Sequence, residues 1–162
     1  MNKNTRWLIG IAMMLLLVSC ATVPTSPPAK VRISGTYDKP MPEVWAAVVG
    51  IVGMNYPIAV LEKDSGLITT NFVTVANGLM TQRRFPMYVQ KPQGPMFAVW
   101  DALRMKLSVM VTEIDTGKTQ VTIKAHYEAF EKNVMKQWIV CDSNGAVESG
   151  IFDAIDQTIE SN

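Results

Sequence analysis

Two cysteines, one histidine and one arginine pair are the side chains of this 162-residue chain whose types and spacing could do chemistry. Val121, Ile123, Ala125, Tyr127 and Ala129 alternate along a strand-like run, which places His126 on the opposite face with Lys124 and Glu128. That is the setting of a solvated strand histidine. If Lys132-Asn133 is a two-residue turn, His126 opposes Ile139 and Lys124 opposes Cys141. The Cys141 thiol then lies diagonal to the imidazole on the non-core face, as a Cys-His nucleophile would require. Such a nucleophile also needs a third group to orient the base and donors for an oxyanion, and neither is evident. A metal would need a second histidine, or cysteines and carboxylates at ligand spacing. No phosphate-binding glycine loop or nucleophile elbow occurs. The chain reads as a non-enzyme, without cofactor or metal.

Binding chemistry concentrates between residues 76 and 100. Gly78, Pro86, Pro92, Gly94 and Pro95 interrupt Arg83, Arg84, Phe85, Met87, Tyr88, Met96, Phe97 and Trp100, with no clear period. A stretch this long without periodicity is usually functional or mobile. Arg83-Arg84 could clamp a phosphate or carboxylate, such as a lipid headgroup, or could be a solvated loop pair. The aromatic and methionine side chains either fold over the open face of a sheet as a second small core or present an adaptable surface to a partner. Arg83, Arg84, Phe85, Tyr88, Phe97 and Trp100 are the partner-binding candidates.

The other cysteine lies in a different context. Lys3 and Arg6 precede an apolar run, Trp7 to Val18, that is shorter than the roughly 20 residues of a bilayer span. Leu17-Val18-Ser19-Cys20 closes the run. This resembles the lipobox of bacterial lipoproteins, which implies cleavage after residue 19 and acylation of Cys20. Each buried methylene contributes about 0.8 kcal/mol, so two or more acyl chains anchor stably where one does not. Ala21, rather than Asp, follows the cysteine. By the same resemblance this implies the outer membrane of a Gram-negative bacterium, with the protein facing the periplasm. Cleavage leaves thirteen basic and fourteen acidic residues, a net charge of −1. That balance does not point to nucleic acid, which calls for a basic face. Cys141 remains alone in an oxidising compartment, where it is either a small buried hydrophobe or a thiol open to intermolecular pairing.

The elements that must position these groups can be read in order. Residues 20–30 form the lipidated cysteine and a proline-rich tether, and residues 31–162 one domain with a substantial core. Val31 to Asp38 reads as a strand. Lys39-Pro40-Met41-Pro42-Glu43 starts a helix, because proline suits the first turn and Glu43 complements the positive dipole end. Val44, Trp45, Val48, Ile51 and Val52 give it one apolar face. Ile58 to Lys63 and Leu67 to Val75 are strands around an Asp64-Ser65-Gly66 turn. Arg104 to Asp115 and Thr119 to Glu131 form a hairpin about Thr116-Gly117-Lys118, followed by a short strand, Met135 to Asp142. A last helix spans Ala146 to Glu160, with Glu148, Asp153, Asp156 and Glu160 facing water. The class is α+β: a curved antiparallel sheet with two helices on one face.

Tyr37-Asp38-Lys39-Pro40 leading into Glu43-Val44-Trp45, then Tyr56-Pro57-Ile58 and Asp64-Ser65-Gly66-Leu67-Ile68, resembles the C-terminal domain of BamC-type lipoproteins. Those are accessory lipoproteins of the β-barrel assembly machine. The likeness covers residues 31 to 75 and implies a helix-grip arrangement and a place in the outer membrane. The family has no catalytic or ligand motif to carry over. It implies a non-enzymatic accessory module whose partner is an envelope protein. The alternative is a carrier or sensor of an apolar or lipid ligand held between sheet and helices.

Overall fold

The computed structural model describes residues 31–90, 92 and 94–161. The signal peptide expected over 1–19, the lipidation expected at Cys20 and the tether expected over 20–30 all fall outside the described residues. The elements run β1 (Ser34–Tyr37), α1 (Met41–Asn55), β2 (Ile58–Glu62), β3 (Leu67–Thr70), β4 (Val73–Asn77), a single 3-10 turn (Gly78–Met80), α2 (Thr81–Tyr88), β5 (Trp100–Asp115), β6 (Lys118–Glu131), β7 (Gln137–Cys141) and α3 (Ala146–Glu160).

The sheet is antiparallel, curved and open. Its spine is the long β5–β6 hairpin, paired from Trp100 opposite Glu131 to Asp115 opposite Lys118, with an irregularity near each end, at Trp100–Ala102 and Glu113–Asp115. Each spine strand carries two short strands end to end. On β6 these are β1, opposite Thr119 to Thr122, and β7, opposite Tyr127 to Glu131. On β5 they are β3 and β4, with β2 outside β3. The residues 67–75, expected as one strand, are thus two strands broken at Asn71-Phe72. The break costs one ladder bond, which the Thr70 hydroxyl replaces by accepting from the Leu107 N–H at 2.9 Å.

The core lies between this sheet and the two long helices. Val44, Val48 and Val52 of α1 and Ile151, Phe152 and Ile155 of α3 meet Ile68, Leu107, Val109, Val121 and Ile123, all buried. Trp45 belongs to the same cluster. The α1 helix stops where Tyr56 turns extended ahead of Pro57 (φ −138°, ψ 137°), because a residue before proline avoids the helical region. Gly66 occupies a left-handed conformation (φ +69°) in the β2–β3 turn, and a Cβ there would lie 1.9 Å from the Val111 carbonyl oxygen. The turn can therefore lean on β5, where the Val111 N–H donates to Gly66 at 2.9 Å.

Five further expectations are corrected. A third helix, α2, occupies part of the segment expected to be irregular. The β6–β7 connection spans residues 132–136 rather than two residues, which moves the register so that Cys141 opposes Tyr127. Cys141 is consequently buried on the core face, opposite to the face that carries His126. Glu148 does not face water: it is buried, accepting from the Ala125 N–H at 3.2 Å and the Ser143 hydroxyl at 2.9 Å. Asp156 is half-buried and bound to Arg32 at 2.7 Å and the Tyr37 hydroxyl at 2.8 Å.

Candidate functional site

The segment 78–100 builds the site. Its short helix has Pro86 in the last turn and two exposed arginines, so local propensity alone does not hold it. Packing does. Phe85 is buried and meets the buried Trp100 edge-on, with ring centroids 5.7 Å apart. The Thr81 hydroxyl, also buried, donates to the Asp101 carbonyl at 3.0 Å. Three bonds tie the far end of α2 to the approach to α3: Gln90 N–H to Asp142 O, Asn144 N–H to Tyr88 O, and Asn144 Nδ2 to Pro86 O. The Tyr88 ring packs on Tyr127 of the sheet at 6.4 Å. All these contacts are on the helix-bearing face. The segment extends the helix layer, and the opposite face of the sheet is not covered by it.

A cavity of about 310 Å³ opens here, lined by Gln82, Phe85, Pro86, Val89 and Trp100. The same segment carries exposed apolar side chains outside the cavity lining. Leu79 is 94% exposed and Met96 and Phe97 each 80%, with Met80, Met87 and Val99 also exposed. The neighbouring 132–136 loop adds Val134 and Met135, both exposed. The two loops are joined: the Lys132 N–H donates to Val99 O at 2.9 Å and Asn133 Nδ2 to Phe97 O at 3.3 Å.

Glu131 organises this junction, and the sequence reading missed it. The residue is fully buried at the end of β6. Its carboxylate accepts from the backbone N–H groups of Val99 (3.0 Å), Asn133 (2.8 Å), Val134 (2.9 Å) and Met135 (2.6 Å). Burial works to raise its pKa, but these backbone donors outweigh burial and hold it at about 2. The charge thus pins both loops that carry the exposed Phe97, Val134 and Met135. Phe97 itself sits at φ 68°, a region that a bulky residue adopts only at a cost of order 1–3 kcal/mol. Strain in a largely exposed phenylalanine gives nothing to the core.

The sequence candidates therefore divide. Phe85 and Trp100 are buried scaffold, and Tyr88 is half-buried beside them. Arg83, Arg84 and Phe97 are exposed. Leu79 and Met80 join the accessible set although no periodicity marked them; an apolar side chain in a 3-10 turn looks the same in sequence whether it is buried or not.

The helix-free face holds a second constellation. The Arg104 guanidinium lies between the rings of Phe72 and Trp138, at 4.3 and 3.9 Å from their centroids. It also bonds Glu128 through Nε at 2.8 Å. His126 Nε2 lies 3.0 Å from the other Glu128 oxygen. Burial works to raise the Glu128 carboxyl, but His126 and Arg104 outweigh it and hold the group below the usual carboxylate range. Three strands contribute to this stack, so only their register brings it together. It satisfies its own charges internally. It also occupies the histidine: His126 partners Glu128, not Cys141. Burial pushes the Cys141 thiol up to about 11, leaving it protonated and unreactive.

Among the described residues no group of three or more His, Cys, Asp or Glu side chains could hold a metal ion. No described helix is long and apolar enough to cross a membrane. In comparison with known proteins, no family model and no curated sequence matches the chain.

Proposed function

We propose that this protein is a lipid-anchored module of the Gram-negative envelope that binds another envelope protein through the apolar end built by residues 78–100. The observation that carries the reading is the exposure of Leu79, Met96 and Phe97 in one segment whose scaffold is held by the buried Phe85–Trp100 contact and by the Glu131 carboxylate. Methionine-rich apolar surfaces adapt to a partner's shape at low cost, and clusters of exposed apolar side chains mark interaction sites. The lipobox-like Leu17-Val18-Ser19-Cys20 supports anchoring through Cys20, and Ala21 supports the outer membrane. The resemblance of residues 31–75 to BamC-type lipoproteins supports a non-enzymatic accessory role in outer-membrane protein assembly. Intact mass tests the anchor: the mature wild-type chain should begin at an acylated Cys20, and Cys20→Ser should remain an unprocessed precursor. An unmodified mature chain would refute it.

The cavity favours a second reading, a carrier of an apolar ligand, because its volume of about 310 Å³ falls at the small end of ligand pockets. The two readings separate in cells. A photoreactive phenylalanine in place of Phe97 should give one dominant protein adduct if the end binds a partner, whereas the same group at exposed Gln157 of α3 should give none. A small-molecule adduct at Phe97 without a protein adduct would instead identify a carrier.

A further inference from the structure

Strand β4 pairs with β5 along one edge only. Its other edge has no ladder partner among the described residues. Unpaired strand edges are templates for another strand, and proteins normally blunt them. Here a groove of about 210 Å³ runs along it, lined by Thr74, Val75, Ala76, Asn77, Met80 and Arg84. The ladder skips Val75, with Thr74 opposite Arg104 and Ala76 opposite Leu103. The Val75 carbonyl is free to accept from Arg84 Nη1 at 3.3 Å. That long bond is the only hydrogen bond of the Arg84 side chain among the described residues, and no carboxylate pairs with Arg83 or Arg84 there.

We propose that the β4 edge takes up an extended, acidic segment of a partner protein by strand addition. Backbone N–H groups of the incoming segment replace the weak Arg84 bond to Val75. The released guanidinium then pairs with a carboxylate of the segment, a planar, charge-assisted contact that suits arginine. Met80 walls the groove for an apolar side chain. Charge complementarity selects this occupant over a second copy of the chain. Isologous pairing of β4 with itself centres on Val75 and sets Arg84 of one copy against Arg84 of the other.

This inference rests on the reading of the chain as a protein-binding module but uses a different surface from Phe97. The test uses the full acylated chain in detergent and a fluorescent six-residue peptide of alternating valine and threonine that ends in glutamate. Binding should saturate below about 1 mM. It should protect the amides of Val73 to Asn77 from hydrogen exchange. A lysine-ended peptide should bind at least about five-fold more weakly, and R84Q should remove that preference without shifting the melt, while R84K retains part of it. A peptide N-methylated at alternate amides should not bind. No binding at 1 mM, equal binding of the methylated peptide, protection at β7 instead of β4, or self-association through the same amides without peptide would each overturn the proposal. Loss of peptide binding alongside an intact Phe97 adduct would sink the strand-edge proposal alone. Peptide binding without the adduct would sink the apolar-end reading alone.

Discussion

Glu131 and Tyr127 sit on the same face of β6, four residues apart, and show opposite ways of burying a polar atom. The Glu131 carboxylate is matched by a cluster of backbone donors. Its folded pKa of about 2 lies below the unfolded value of about 4.3. The stability it contributes is therefore fully present above pH 4.3 and is lost as pH falls towards 2. Glu131→Gln should lower the melting temperature at pH 7, and the gap from wild type should close between about pH 4.5 and 2. A gap that does not change with pH would mean the charge contributes nothing. The Tyr127 hydroxyl, by contrast, is buried with no hydrogen-bond partner among the described residues. An unpaired buried polar group costs about 1–3 kcal/mol. Tyr127→Phe should keep the ring packing against Tyr88 and raise stability by about 1 kcal/mol in a denaturant titration. A loss of stability would show that the hydroxyl is satisfied in solution.

Among the elements, α1 and α3 were legible because their apolar positions recur at helical spacing, and the structure buries Val44, Trp45, Val48, Ile51 and Val52 of α1 as expected and Ile151, Phe152 and Ile155 of α3 beside them. Trp45→Ala should cost about 3–5 kcal/mol by calorimetry, enough to threaten a domain of this size; a melt within a few degrees of wild type would show the helix face to be wrongly assigned. The β5–β6 hairpin was legible through its period of two. Helix α2 was not, because Pro86 and Arg83-Arg84 give it no local signature and its stability comes from Phe85 meeting Trp100 across a gap of fifteen residues. Register was lost at β7 for a similar reason. The loop over 132–136 is longer than a tight turn because it wraps a buried carboxylate, and a glutamate at a strand end looks solvated in sequence. Cys141 therefore lies on the core face rather than on the face a two-residue turn would give it. The site's aromatic content was legible; which aromatics were scaffold and which surface was not, since burial of Phe85 and exposure of Phe97 depend on where the chain returns to the sheet.

At the scale of the whole molecule, one face of the sheet is covered by all three helices and the other carries the self-satisfied Arg104 stack. The apolar end and the free β4 edge lie together beside α2. In the proposed function, the exposed apolar side chains of residues 78–100 serve a partner rather than the fold. The most direct test is the yield of the photo-adduct formed from position 97 when Leu79 and Met96 are both replaced by serine. Both side chains are exposed, so the melting temperature should barely move. Adduct yield should fall at least about ten-fold, the effect of losing about 1.4 kcal/mol of binding. An undiminished adduct would contradict the proposed function.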